Sequence, residues 1–162
     1  MKIYIASDHA GFELKEVLKK YLPELGLGYE VTDTGALTLN PEDDYPDFVM
    51  PLAQEVAKNP DAFGIVIGGS GQGEAMCANR VHGIRAAVFY GPRVPVSAVD
   101  VNGVESSDPF EILKLEREHN NANVISIGTR FVDVDEAKFA VELFLKTEFS
   151  KDERHTRRLS KF

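Results

Sequence analysis

"FGIVIGGSGQGEAMCANR", residues 63–80, opens as an apolar strand, spills into a glycine cluster and resumes with helical character. A run of apolar residues without alternation is what a parallel strand covered on both faces requires. Working outward, further strand-like runs are "KIYIA" (2–6), "YEVTDTG" (29–35), "IRAAVFY" (84–90) and "NVISIG" (123–128). Helical patterns separate them. Phe12, Leu14, Val17, Leu18, Tyr21 and Leu22 share one side of a helix over 11–22 that Pro23 should stop. Residues 47–58, 108–120 and 133–147 read as further helices, the one over 108–120 opening with Asp108 as N-cap and Pro109 at the first helical position. Strands alternating with helices predict an α/β fold, a three-layer sandwich around a five-stranded parallel sheet.

Four glycines (Gly68, Gly69, Gly71 and Gly73) surround one serine, Ser70, and a carboxylate, Glu74, follows where a helix begins. This is not the dinucleotide pattern, because Glu74 stands at the third-glycine position. Nor is it a P-loop, because no Lys-Ser/Thr pair follows Gly73. The plainer reading is a tight strand-to-helix turn with an acid paired to the helix dipole. A turn needs only one or two glycines, however. Successive amides at a helix start make a cradle for negative charge, which is an oxyanion hole if that charge develops only during reaction. Glu74 beside it is placed to take a proton from carbon while the amides hold an enediolate.

Other polar residues gather in loops. Asp8 and His9 follow the first strand, Thr129 and Arg130 follow the fifth, and His119 and Asn120 close the helix before it. Singly, Asp8 reads as a cap and His119 as a cation at a helix C-terminus; together they suggest one decorated crevice. Tyr45 in "EDDYPDF" either starts a helix or lines that crevice. In the basic stretch "KDERHTRRLSKF", Arg154 and Arg158 fall on one face of a helical turn. They form either a solvated charge face or a guanidinium clamp for phosphate that Arg130 completes. Cys77 receives no role, and no His/Cys/carboxylate set has zinc spacing, so neither metal nor cofactor is expected.

The 162 residues suit one domain, expected over 1–150, with residues 91–107 as an unusually long connection and 151–162 as a basic arm, frayed or laid on a partner subunit. A net charge of −8 argues against non-specific nucleic-acid binding. One cysteine, a short N-terminal apolar run and no bilayer-length segment lead to the expectation of a cytoplasmic protein without membrane contact.

"SDHAGFELK", "DDYPDF", "GGSGQGE", "GIRAA", "EREHNNANVISIG" and "RHTRR" occur in this order along the chain. Together they resemble ribose-5-phosphate isomerase type B, of the family that also contains galactose-6-phosphate isomerase subunits. The resemblance implies a Rossmann-like sandwich working as a homodimer with shared sites, a tetramer remaining open. It also implies metal-free interconversion of an aldose and a ketose phosphate through an enediol. One branch has a cysteine base where this chain has Gly68; this chain resembles the other, with Glu74 as base. By the same resemblance, Ser70 and the amides of Gly69, Gly71 and Gly73 hold the enediolate. Asp8 and His119 open the sugar ring and handle hydroxyl protons, and Asn120 binds a hydroxyl. His9, Arg130, Arg154 and Arg158 take the phosphate, and the basic arm packs on the partner. Residues 91–107 depart from the pattern. A hexose 6-phosphate substrate, or a pocket that binds sugar phosphate without turnover, stays open at this point.

Overall fold

The computed structural model describes residues 1–161. Five strands alternate with helices: β1 (Lys2–Ser7), α1 (Phe12–Glu24), β2 (Glu30–Gly35), α2 (Pro46–Lys58), β3 (Phe63–Gly68) and α3 (Gln72–Ala78). Then come β4 (Ala86–Phe89), α4 (Glu111–Asn120), β5 (Val124–Gly128), α5 (Val134–Lys146) and α6 (Glu153–Leu159). All strand pairs are parallel, in the order β2-β1-β3-β5-β4. The expected three-layer α/β sandwich is what forms.

Side chains alternate across each strand, so one sheet builds two cores. Ile3, Ile5, Ile65, Ile67, Ile125 and Ile127 face α1, α4 and α5. Tyr4, Ala6, Val66 and Val124 face α2 and α3. The helices divide by direction of travel: α1 and α4 lead leftward along the sheet on one face, and α2 and α3 lead rightward on the other. Right-handed crossovers require this division. In consequence the loops after β1 and β3, which are neighbours, depart toward opposite faces and leave a crevice at the carboxyl edge.

Three local expectations are corrected. Pro23 does not stop α1 but lies in its last turn, where Leu25 N–H already closes onto Leu22 and Pro23 carbonyls, so little regular helix remains to disrupt. Asp108 does not cap α4, which begins at Glu111 after Phe110. Its carboxylate accepts the Phe110 N–H at 2.8 Å and pairs with Lys114 at 2.7 Å, so Asp108-Pro109 is a turn leading into the helix. The basic stretch is not frayed: it forms α6 and packs on α4. Residues 91–107 run beside the edge strand β4 and α4. With Val88, Tyr90, Ile112 and Leu115, the first half of this stretch, up to Val99, lines an apolar groove of about 620 Å³.

Lys15 is fully buried, its charge met by Asp33 at 2.6 Å and Glu16 at 3.1 Å, which ties α1 to β2. Glu116 on α4 has no such partner: it is 6% exposed and its Oε2 makes no hydrogen bond. Burial pushes its pKa up to about 8. Above its ordinary 4.5 the unfolded chain releases a proton that the folded chain retains, so stability falls as pH climbs toward about 8. Each pH unit within that window corresponds to about 1.4 kcal/mol. Glu116→Gln is expected to flatten this decline and to stabilise the protein at neutral pH, as measured by denaturant unfolding at a series of pH values.

Candidate active site

The crevice between β1 and β3 holds the acid singled out in the sequence. Glu74 lies in the first turn of α3 and is 4% exposed. Its carboxylate rests directly on the end of β3: a Cβ built on Gly68 would lie 1.7 Å from Glu74 Oε1. A side chain at position 68 would therefore push the carboxylate out of this seat. Burial raises the Glu74 pKa above the usual carboxylate range; its own backbone N–H opposes this, the neighbouring Asp8 charge adds to it, and the Arg130 charge opposes it. An acid that gives up and takes back a proton more readily near neutrality is what a base working on carbon needs.

The glycine loop is held from below. Gly71 has φ +74°, and its carbonyl accepts the Ser126 hydroxyl at 2.7 Å. A side chain there would be strained as well as crowded against Ser126 and Gly128. The carbonyls of Gly68 and Gly69 accept the N–H groups of Thr129 and Arg130, locking the loop to the end of β5. Thr129 also donates its hydroxyl toward the Ala10 and Gly68 carbonyls, joining three strand ends. No side-chain acceptor caps α3, and the Ser70 hydroxyl receives only the Gln72 N–H. The Arg130 guanidinium lies over Gly69, and the Tyr45 ring and hydroxyl lie against Gly73, so both face the loop.

After β1, Asp8 Oδ1 accepts the N–H groups of Ala10 and Gly11 at 3.0 and 3.2 Å. The capping role and the place beside Glu74 thus coexist in one residue. His9 is half-exposed and paired through Nδ1 with Asp43 Oδ1 at 2.7 Å, while its N–H donates to the same oxygen. The Asp43 hydrogen bond raises the His9 pKa, burial lowers it, and the Asp8 charge raises it. A protonated imidazole suits an anion. Asp43 is absent from the sequence reading; the acidic run "EDDYPD" carries it, but nothing in the run separates an orienting acid from its solvated neighbours. Asp8, His9 and Asp43 offer ligand atoms within 4.8 Å of one another, and the hydrogen bonds just described already use one atom of each.

The remaining residues are elsewhere. His119 and Asn120 end α4 and precede β5, so they stand at the amino edge of the sheet, not at the carboxyl edge with Glu74. Five residues of β5 separate the edges by about 16 Å at ~3.3 Å each. Arg154 and Arg158 lie on α6 beside them. His119 packs against His155 with ring centroids 4.1 Å apart, and Arg154 and Asp100 line the same hollow. Burial lowers the His119 pKa, with smaller contributions from His155 and Arg154. The expected single crevice is corrected to two half-sites: Asp8, His9, Tyr45, Ser70, Glu74 and Arg130 at one edge, His119, Asn120, Arg154 and Arg158 at the other.

Among the described residues no helix is long and apolar enough to cross a membrane. Comparison with known proteins accords with the geometry. The profile of the family described as Ribose/Galactose Isomerase matches residues 3–105 and 101–162, its two matches meeting at the long connection. The chain is 40% identical to ribose-5-phosphate isomerase B of Mycolicibacterium paratuberculosis, over 98% of this chain and 87% of that one. It is 38% identical to probable ribose-5-phosphate isomerase B of Mycoplasma pneumoniae, over 98% and 91%. Its fold superposes on ribose-5-phosphate isomerase B of Mycoplasma genitalium with bound ribulose-5-phosphate at a TM-score of 0.83, 36% identity, covering 99% and 92%. The type B ribose 5-phosphate isomerase of Trypanosoma brucei also gives 0.83, at 33% identity, covering 99% and 95%. From its motifs, fold and near full-length similarity, the chain belongs to the ribose/galactose isomerase family.

Proposed function

We propose that this chain interconverts ribose 5-phosphate and ribulose 5-phosphate, with Glu74 as the base. The observation that carries this reading is a buried carboxylate seated on Gly68 beside the glycine loop at the start of α3. Binding alone asks for no such acid. In the aldose direction, Glu74 takes the proton from C2, and that C–H pair becomes the C1–C2 double bond. The former carbonyl oxygen gains the charge, which the loop amides and Ser70 stabilise. Return of the proton from Glu74 to C1, with the O2 proton removed to form the C2 carbonyl and a proton delivered to O1, leaves the ketose with no net change in protons. Asp8 and His119 handle the hydroxyl protons and ring opening, and Asn120 holds a hydroxyl. The pathway consequence is placement in pentose phosphate chemistry, in a cytoplasmic setting.

We further propose that the working unit is a homodimer in which the two edges meet. The half-site with Glu74 holds His9 and Arg130 as its cationic groups, whereas the half-site with Arg154 and Arg158 lacks the glycine loop and its buried acid. A pentose phosphate cannot span the distance between edges of one sheet. A second copy bringing its α4 end and α6 against the crevice supplies His119, Asn120 and the paired guanidinium groups. The phosphate then sits among His9, Arg130, Arg154 and Arg158, its binding energy orienting the reacting carbons.

Glu74→Gln is expected to leave substrate binding within about twofold while removing turnover by about three orders of magnitude or more, read from kcat and KM separately. Gly68→Ala is expected to displace the carboxylate and cause a comparable loss, and the pairing Gly68→Ala with Glu74→Gln should be no worse than Glu74→Gln alone. Because burial raises the Glu74 pKa, kcat/KM should fall on acidification at a pH above the ordinary 4.5. Asp8→Asn should move that limb downward. Finally, Glu74→Gln and His119→Asn should each be strongly impaired alone; subunits mixed by denaturation and refolding should regain about a quarter of the parent activity, since half the dimers are mixed and each has one intact site. No recovery on mixing would rule out the shared site.

A further inference from the structure

His155 is the buried, titratable residue that this mechanism leaves unused. It is 2% exposed although Arg157 and Arg158 on the same helix are exposed. It is the buried residue of α6. Its ring meets that of His119 edge to face, centroids 4.1 Å apart at 82°. Its Nδ1 lies 3.4 Å from the Glu118 carbonyl, which also accepts the Ser150 N–H at 3.1 Å, so two contacts converge on the peptide leading into His119.

Among the described residues, the hydrogen bonds made by histidine rings are those of His9 and His155. Neither ring nitrogen of His119 is held within the chain. Both are therefore available to substrate hydroxyls, and among the described residues no hydrogen bond fixes the ring's direction. Proton transfer in the transition state depends on that direction, and a displacement of about 1 Å can cost about a hundredfold in rate. The ring contact from His155 is the constraint that remains. His155 also lies between Arg154 and Arg158 in the helix, so the imidazole it steadies and the guanidinium groups keep a fixed spacing.

We propose that His155 is a positioning residue, which holds the His119 ring at the angle its proton transfer requires and couples it to the arginine pair of α6. This rests on the role assigned to His119 above. Burial lowers the His119 pKa and the neighbouring His155 lowers it further, which favours a neutral imidazole ready to accept a proton.

The test is steady-state kinetics on ribose 5-phosphate with the full-length chain, for His155→Ala, His155→Asn, His155→Phe, His119→Asn and the combination of His119→Asn with His155→Ala. Expected for both variants without a ring at 155 is a kcat lowered by about tenfold with KM within about twofold of the parent. His155→Phe restores an edge-to-face ring and should recover kcat to within about threefold. The combined variant should be no slower than His119→Asn alone, because the two residues act as a unit. An unchanged kcat in both His155→Ala and His155→Asn overturns the proposal, as does a rise confined to KM, which would mean that His155 merely seats the arginines. Additive losses in the combined variant overturn it as well. The underlying reading fails differently: full turnover in His119→Asn removes His119 from the mechanism, whereas an impaired His119→Asn beside an unimpaired His155→Ala discards only the positioning role.

Discussion

Right-handed crossover is the constraint from which this molecule's chemistry follows. Once β1 and β3 are neighbours and their following helices must lie on opposite faces, the chain cannot close the space between Ser7 and Gly68. Every polar group beyond those strand ends is then held by backbone on three sides. Asp8 is fixed by the amides of Ala10 and Gly11, the glycine loop by Thr129, Arg130 and Ser126, and Glu74 by its seat on Gly68. None of these contacts is strong alone, since a typical hydrogen bond contributes about 1 kcal/mol net. Their value is that the acid meets a preformed surface and loses its solvation only where amides and Arg130 are close.

The same topology explains why one chain carries two half-sites. A helix that crosses a parallel sheet begins at the carboxyl edge and ends at the amino edge. The start of α3 and the end of α4 therefore cannot be neighbours, whatever their residues would do together. On the proposal made above, His119 and Asn120 join the chemistry of Glu74 only through a second copy, which would present the cations of α6 with them.

Much of this was legible in the residues. The unbroken apolar run of 63–68 identified a strand covered on both faces, and the excess of glycines with Glu74 behind them marked the loop. Other features were not legible, for physical reasons. Asp43 is one acid among several in its run, and only tertiary contact with His9 distinguishes it. Asp108 has the chemistry of an N-cap, but its carboxylate was used two residues early, where Pro109 forced a turn. His119 was grouped with Glu74 because loop polarity is visible in sequence while the edge of the sheet on which a loop falls depends on counting crossovers.

The contact between residue 68 and the acid at 74 has a bearing on how such enzymes diversify. Within the resemblance noted above, one branch works with a cysteine where this chain has Gly68. In the present geometry a thiol-bearing carbon would occupy the volume of the Glu74 carboxylate. A lineage that gained the thiol would thereby dislodge the carboxylate from its seat, so each group is at its best only where the other is missing, a tension that would help to keep the branches apart even though the fold around them is shared.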